Sequence, residues 1–296
     1  MANARELLKR KKSVQSTGKI TRTMELVASA KLKKATEAAA AAEPYAAGLQ
    51  ELMRHLSQSV DEEETVGHPL MEQREVHSVA LLVMTSDRGL CGAFNSNLVR
   101  LAVQLAAEHR RHGRQVHIIA LARKAATTLR FFGESVAEAH SGLVEKPRYG
   151  QAQEVVEPIM ERFRDRTYDL VQVVYPHFAS RASQPPTVST LLPAGLDEEQ
   201  DEQEQQQAPG VDYLFHPDDP AQLLEGLVPQ AVRTVFFSYL LQTSAGEHAA
   251  RRIAMKNATD AAKDLVKAIN SRYNRARQGK ITQEIAEIVG AVEAMS

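Results

Sequence analysis

Two helix-forming stretches, one at each end of the chain, constrain the fold more than any other feature. From Asn3 to about Ser59 the sequence is rich in Ala, Leu, Lys, Glu, Met and Arg, all good helix formers. A second helical pattern begins at a cap formed by Asp218 or Asp219 and continues almost to Ser296. At about 1.5 Å per residue, the two helices would be about 80 and 110 Å long. Because a compact domain of this size does not contain helices of that length, the pattern predicts a coiled coil.

The spacing of apolar side chains indicates which helix faces would pack. Apolar residues recur at three, four or seven positions and form a narrow stripe, opposite a basic face on the N-terminal helix. The two helices are predicted to pair antiparallel and to project from a globular base, with a kink or break at Pro44 and a kink at Pro229. The predicted N-terminal stripe comprises Leu7, Val14, Thr17, Ile20, Met24 and Val27, followed by Leu49, Leu52 and Leu56. The predicted C-terminal seam of mostly small residues comprises Ala250, Ala254, Ala258, Ala261, Leu265 and Ile269.

Between the helices, the hydrophobic pattern changes to short strands that alternate with helices. This alternation predicts a three-layer α/β domain with a largely parallel sheet, inserted between the N- and C-terminal helices. Strands are expected at 79–84, 115–122, 168–175 and 187–192, and helices at about 95–112, 123–132 and 148–166. The predicted parts are an N-terminal coiled-coil helix (1–60), a linker near 61–69, the α/β domain (76–194), an acidic Gln-rich loop (195–217) and a C-terminal coiled-coil helix (218–296).

The net charge of −1 conceals a strong segregation of charge. Residues 1–34 carry ten Lys or Arg against two Glu, a balance of +8, and residues 247–280 carry nine against three acids, a balance of +6. The other 228 residues therefore sum to −15. Two basic ends of this kind indicate a partner with negative charge. A basic coiled coil that binds nucleic acid is one alternative, although such proteins interleave aromatic and basic residues, and Tyr273 is the sole aromatic residue in these two stretches.

The candidate catalytic groups form no recognisable constellation. The loop from Gly89 to Asn95 follows a strand and leads into a helix, where backbone N–H groups could hold an anion, but it lacks the P-loop and GxGxxG patterns. Cys91 has no paired base nearby, and the adjacent Glu247 and His248 point in different directions on a helix. We therefore predict neither a catalytic, a cofactor nor a metal site, with an α/β nucleotide-binding enzyme acting through this loop as a further alternative.

Two further features concern the membrane and the C-terminal tip. No stretch of the sequence approaches the roughly 20 apolar residues of a membrane-spanning helix, and a single cysteine cannot form an internal disulfide. At the C-terminus, an apolar face extends past the point that the N-terminal helix can accompany. Such a tip requires a socket in another protein. The face comprises Ile281, Ile285, Ile288, Val289 and Val292.

Four segments resemble the gamma subunit of F-type ATP synthases, of bacterial type. The segments are 13–32 (SVQSTGKITRTMELVASAKL), 85–98 (TSDRGLCGAFNSNL), 247–260 (EHAARRIAMKNATD) and 273–290 (YNRARQGKITQEIAEIVG), of which the last is the most specific. The resemblance implies a non-catalytic rotor without a cofactor. One copy per complex would form the shaft inside the α3β3 hexamer, and its α/β foot would contact the epsilon subunit and the membrane c-ring. It also implies a peripheral membrane protein on the cytoplasmic face of the bacterial inner membrane, with no nucleic acid bound and no insertion into the bilayer.

The resemblance also assigns expected contact residues and shows three departures. Ala93 stands where the family commonly has a second glycine, 197–210 reads as an insertion, and the absence of a dithiol excludes the thiol-regulated chloroplast form. The coupling ion, H⁺ or Na⁺, stays open. The contacts with the α and β subunits implied by the resemblance are Lys9, Lys12, Lys19, Arg22, Met24, Cys91, Arg277, Gln278 and Thr282, and the apolar tip from Ile281 to Val292 matches the part held in a hydrophobic bearing.

Overall fold

The computed structural model describes residues 4–59, 68–195 and 220–295. The residues divide into two compact units, one formed by 1–29 with 251–296 and the other by 30–250. Most of the predicted linker (61–69) and of the predicted acidic loop (195–217), with the predicted cap at Asp218 or Asp219, lie outside the described residues.

The described chain contains five helices and five strands, and the predicted long helices are confirmed. The first helix continues through Pro44 and the last through Pro229, so the alternative of a break at Pro44 is wrong. Beside the two prolines, Gln230 Nε2 donates a hydrogen bond to the Tyr45 hydroxyl, which holds the helices together where each lacks a backbone bond. In chain order the elements are α1 (Ala4–Ser59), β1 (Ser78–Val83), α2 (Phe94–Arg111), β2 (Gln115–Ala120), α3 (Arg123–Phe131), β3 (Val136–Ala139), α4 (Tyr149–Arg164), β4 (Leu170–Pro176), β5 (Pro186–Leu192) and α5 (Pro220–Met295).

The five strands form one mixed sheet in the order β3-β2-β1-β4-β5. The first four pair parallel and β5 pairs antiparallel to β4, which confirms a largely parallel sheet. Strand β3 was not predicted, because its four residues alternate between half-buried and exposed and carry little apolar signal. Strand β1 is almost entirely buried, as expected for a central parallel strand covered on both faces.

Helices cover both faces of the sheet, so the α/β unit has the three predicted layers. On one face, Leu82 of β1 and Met84, which directly follows this strand, join a core that includes Ile159 of α4 and Phe236 of α5. On the other face, Leu81 of β1 joins a core built with α2 and α3. Alternate residues of the same strand thus serve two separate cores.

In the smaller unit, α1 and α5 pair antiparallel. Thr21 Oγ1 and Thr259 Oγ1 share a buried hydrogen bond of 2.8 Å, and a Cβ on Gly18 would lie 3.3 Å from Cβ of Ala262. Along both helices the more buried residues recur at alternating intervals of three and four, the heptad spacing of a coiled coil. On α1 these positions are Leu7, Lys11, Val14, Gly18, Thr21, Glu25 and Ala28, and on α5 they are Met255, Thr259, Ala262, Val266, Ile269, Tyr273 and Ala276.

The seam therefore lies one position away from the predicted one over much of its length. Ile20 and Val27 are more than half exposed, and on α5 Ala261 and Leu265 are exposed, whereas Leu7 and Ile269 are buried as predicted. Close approach explains the difference, because the glycine at position 18 and the paired threonines let the backbones come nearer than Ile20 or Leu265 would allow. A prediction from hydrophobicity alone favours the larger apolar side chains.

Candidate interaction surfaces

The outer face of α1 combines lysines with exposed apolar side chains. Lys12 and Lys19 are seven residues apart, as are Ile20 and Val27, so these four side chains lie on the side of the helix opposite the seam. All four are exposed, with Ile20 at 58% and Val27 at 52%. We call this set, together with the exposed Lys9, the outer face of α1. Hydrophobicity predicted that Ile20 and Val27 would be covered by α5, and the structure leaves both side chains exposed.

The two other predicted contacts on α1 flank the seam. Arg22 Nη1 lies 2.9 Å from Glu25 Oε2, so this exposed guanidinium has an ion-pair partner within its own helix. Met24 is half-buried beside Glu25. These residues are thus less available than the lysines of the outer face, because part of their surface or charge is already engaged.

The C-terminal tip of α5 extends past α1. In both close pairs of the seam the residue numbers add up to 280, so Ala4, the first described residue of α1, lies level with residue 276. Burial changes at the same point, since every residue from 277 to 291 is exposed. Ile281, Ile285, Ile288 and Val289 are between 45% and 65% exposed, while the side chain of Val292 lies outside the described residues. The large apolar side chains of the tip are therefore not covered by the described part of the chain.

Three predicted contacts lie at the base of this tip. Arg277 and Gln278 are exposed in the first turn after the seam ends. Thr282 is exposed as well, and its hydroxyl donates a 3.0 Å hydrogen bond to the Gln278 carbonyl. The structure therefore brings Arg277, Gln278 and Thr282 onto the same segment of helix as the apolar tip.

The thiol of Cys91 is buried, in contrast to the other predicted contacts. The residue is 2% exposed, and Asn95 Nδ2 donates to its Sγ at 3.2 Å. Asn95 Oδ1 in turn accepts bonds of 2.9 Å from the backbone N–H and the hydroxyl of Ser86. In this conformation Cys91 fixes the loop from the inside, and the neighbouring Leu90, 63% exposed, presents the apolar surface.

Acidic residues connect the same loop to its surroundings. Asp87 accepts hydrogen bonds of 2.9 Å from the backbone N–H groups of Arg123, at the start of α3, and Gly142. Glu145 joins Lys31 of α1 at 3.0 Å to Arg88 of the loop at 3.4 Å. The hydrogen bond from Lys31 is the main reason that the pKa of Glu145 is lowered, with a further contribution from the charge of Arg88. Sequence analysis missed Glu145, since no local pattern links it to positions 31 and 88.

Helix α5 fills the place where sheets of this type bind ligands. In doubly wound folds, ligands bind beyond the carboxyl ends of the strands at the point where the strand order reverses, here between β1 and β4. Residues 243–249 of α5 are all buried. A Cβ on Gly246 would lie 3.3 Å from Phe94, which follows β1, and 3.4 Å from Pro176, which ends β4. The predicted acid/base candidates Glu247 and His248 are themselves buried in this segment and do not line an open site.

The fit at Gly246 predicts the effect of a large side chain. Gly246→Leu is expected to reduce the free energy of unfolding by about 2 to 3 kcal/mol, since a fully packed site has no room for four more carbons. Urea unfolding measures the change. Gly226→Leu, at a helical position with nothing within 4 Å of the added Cβ, is the matched control, and equal stability of the two variants would contradict a filled crevice.

Two negative findings apply to the described part of the chain. Within residues 4–59, 68–195 and 220–295 no group of three or more His, Cys, Asp or Glu is arranged to hold a metal ion. Among the same residues, no helix combines the length and the apolar character needed to cross a membrane.

Comparison with known proteins identifies the family. A family model described as ATP synthase matches residues 3–295. The ATP synthase gamma chains of Leptospira biflexa and Pelotomaculum thermopropionicum are each 39% identical to this chain over the full length of both proteins. The chain belongs to the ATP synthase gamma chain family. Its function is therefore that of a gamma subunit, the non-catalytic central-stalk rotor of ATP synthase, which decides against both the nucleic-acid-binding and the nucleotide-binding-enzyme alternatives.

Solved structures support the fold at lower sequence identity. The rotor of the Euglena gracilis mitochondrial ATP synthase matches 94% of this gamma chain and 98% of its own, with a TM-score of 0.64 at 18% identity. The central stalk and c-ring structure of the Tetrahymena thermophila enzyme matches 81% of this chain, with a TM-score of 0.58 at 22% identity. Both structural similarities support a fold in which terminal helices flank a mixed α/β sheet.

Proposed function

We propose that this gamma chain couples ion-driven rotation of a membrane c-ring to ATP synthesis in an α3β3 hexamer, and that ATP hydrolysis drives the reverse rotation. The exposed apolar tip of α5 carries the proposal, since four large apolar side chains occur on a helix segment that nothing in the described chain covers. A hydrophobic contact is non-directional, so an apolar sleeve around the tip would keep the rotor on its axis without fixing its rotational angle.

The outer face of α1 supports a complementary role at the level of the catalytic subunits. Its lysines would meet acidic residues at the base of the β subunits, and Ile20 and Val27 would lie against apolar surface there. Each exposed charge pair contributes about 1 kcal/mol or less and is screened within about 10 Å. Contacts of this strength guide the rotor toward favoured angles, yet none is strong enough to stop it turning.

The remaining partners are proposed from the membership of the chain in the gamma chain family. One gamma chain would occupy each complex, with its α/β unit against the epsilon subunit and the c-ring, and with Arg277, Gln278 and Thr282 against loops of the α and β subunits. The Tetrahymena structure combines a central stalk with a c-ring, and a further Euglena structure combines OSCP, F1 and the c-ring. The complex would lie on the cytoplasmic face of a bacterial inner membrane, with gamma bound through proteins and not inserted in the bilayer.

Charge reversal tests the outer face of α1. The triple variant Lys9→Glu, Lys12→Glu and Lys19→Glu is expected to weaken binding to the hexamer roughly tenfold, since three modest attractions become repulsions. The free energy of unfolding should change by less than about 0.5 kcal/mol because all three side chains are exposed. Ion pumping per ATP hydrolysed, measured in reconstituted vesicles, should fall.

A control variant separates this effect from net charge. Arg100→Glu, Arg111→Glu and Arg130→Glu make the same charge change on exposed positions of α2 and α3, and should leave pumping intact. If the lysine variant pumps as many ions per ATP as the unmodified rotor, the outer face has no coupling role. Co-purification of the chain with ATPase-active α and β subunits from the native membrane tests the assignment as a whole.

A further inference from the structure

Thr21 and Thr259 form a buried polar pair in the seam between α1 and α5. The two residues are 9% and 4% exposed, and their hydroxyl oxygens lie 2.8 Å apart. The Thr259 hydroxyl donates its proton to the Met255 carbonyl at 2.8 Å, so its oxygen accepts across the seam and Thr21 is the donor. The alternative acceptor for Thr21 is the Gly18 carbonyl of its own helix, at 3.1 Å. The bond across the seam therefore exists only while Thr21 and Thr259 lie at the same level.

Apolar packing along this seam distinguishes weakly between different registers of the two helices. A slide of α1 along α5 by one heptad returns each seam position to a seam position of the other helix. Such a slide exchanges apolar neighbours but always separates the two hydroxyls. After the two possible slides, the positions opposite Thr21 are Val266 and Arg252, and those opposite Thr259 are Ala28 and Val14. In residues 4–29 and 251–291 the apolar seam side chains that are buried are Leu7, Ala28, Met255 and Ile269, while Val14, Ala262, Val266 and Ala276 are half-buried.

The register also sets how far α5 extends past α1. Ala4 lies level with residue 276, and a slide by one heptad moves the end of α1 by about 10.5 Å along α5. A slide in one direction would cover residues 277–283, which include Ile281, and a slide in the other would uncover residues 270–276. The exposed apolar length of the tip therefore depends on the register of the seam.

We propose that the hydroxyl pair of Thr21 and Thr259 is a register lock, which holds α1 and α5 at one relative position and gives the C-terminal tip a single length. A polar pair in a mainly apolar coiled coil specifies register because sliding separates its two members and places each against hydrocarbon. The lock is a property of the free chain, whereas its value for seating the tip rests on the proposed function.

Disulfide crosslinking within the full-length chain measures the register directly. Lys11→Cys is combined with a second cysteine at one of three α5 seam positions seven residues apart, and Cys91→Ser removes the native thiol. A disulfide requires Cα atoms within about 7 Å, which is less than the length of a heptad, so each pair of cysteines reports one register. The second cysteine is Ile269→Cys for the present register and Ala262→Cys or Ala276→Cys for the two slides.

Removal of the hydroxyls is expected to change the register without loss of stability. Thr21→Val with Thr259→Val keeps the shape of both side chains, so the chain should unfold at the same temperature as the unmodified protein or a higher one. With both threonines present, oxidation should form the disulfide between positions 11 and 269 almost alone. In the valine variant the yield of the two slipped disulfides, relative to that one, should rise about tenfold, as expected for the loss of one buried hydrogen bond.

The matched control removes apolar contact at a neighbouring level of the same seam and keeps the hydroxyl pair. Val14→Ala with Val266→Ala should lower the unfolding temperature, yet it should form no more of the slipped disulfides than the unmodified chain. Stability and register are thus expected to change separately in the two variants.

Three results would overturn the proposal. If the valine variant forms the disulfide between positions 11 and 269 alone, the register is fixed elsewhere in the chain. If the alanine control forms the slipped disulfides as readily as the valine variant, apolar packing sets the register. Failure of that disulfide to form when both threonines are present would contradict the register itself. Because these measurements use the free chain, their outcome does not depend on binding to a hexamer, and failure of the unmodified chain to bind one would count against the proposed function alone.

Discussion

A chain truncated after Gln278 is expected to fold its α/β unit normally but to lose most of its affinity for the hexamer. The missing segment contains Ile281, Ile285, Ile288 and Val289, all exposed in the chain alone. Each large apolar side chain that a partner covers fully contributes about 1.5 to 3 kcal/mol. Even partial burial of four therefore makes a loss of binding of tenfold or more the expected result. Rotor torque and ATP synthesis in reconstituted vesicles should fall in parallel.

Point variants separate the apolar face from helix length. Ile281→Ser, Ile285→Ser and Ile288→Ser remove the apolar face and keep the segment, and should reproduce most of the binding defect. The control carries Gln283→Ala, Glu284→Ala and Glu287→Ala on the same exposed turns, where loss of weak polar contacts should leave binding nearly unchanged. Full ATP synthesis by the truncated rotor would show that the tip is dispensable and would remove the main support for the proposed bearing.

Replacing Asp169 by Ala is expected to destabilise the α/β unit by about 3 to 5 kcal/mol, the range for breaking a buried ion pair. Asp169 is 8% exposed and accepts hydrogen bonds from the backbone N–H groups of Ser78 (2.9 Å) and His77 (3.0 Å) at the start of β1. One of its oxygens lies 2.9 Å from Nε of Arg74. The variant would leave the buried guanidinium with only the more distant carboxylate of Glu72, 3.5 Å from Nη1, and two N–H groups without an acceptor.

The Arg74 side chain has other partners that keep it in place after this loss. It donates a 2.7 Å hydrogen bond to the Phe163 carbonyl at the end of α4, and its guanidinium lies 4.4 Å above the Phe163 ring. It cannot move to water without breaking these contacts. Denaturant unfolding monitored by circular dichroism measures the effect, and a loss below about 1 kcal/mol would show that the cluster contributes little to stability.

The ion pair of Asp169 and Arg74 makes the stability of the α/β unit depend on pH. Burial by itself would raise the pKa of Asp169, but the hydrogen bonds from Ser78 and His77 and the charge of Arg74 outweigh it, so the pKa lies below the ordinary value of 3.8. A carboxyl with a lowered pKa contributes stability that is present above the unfolded pKa and is lost as the pH falls through the folded one. The stability difference between the unmodified protein and Asp169→Asn should therefore be largest near neutral pH and shrink below about pH 4. A difference that does not change with pH would contradict the assignment.

The sequence by itself predicted the broad organisation of this gamma chain. Uninterrupted helix formers at both ends required long paired helices, and strands alternating with helices required a parallel sheet with helices on both faces. These patterns are predictable because the period of burial is a local property, set by 3.6 residues per turn in a helix and by two in a strand. The exposed apolar tip was also predictable, since α1 is too short to accompany α5 to its end.

The tertiary structure decided which faces meet. The seam passes through Gly18, Thr21 and Thr259 and leaves Ile20 exposed, because the distance between two backbones depends on both helices at once and favours small or mutually bonded side chains. The same reason applies to the loop at Leu90, where contacts from α1, α3 and the 142–145 segment fix a backbone conformation that no single stretch of sequence specifies. Local periodicity determines which elements form, whereas pairwise fit between distant elements determines which residues are left for partners.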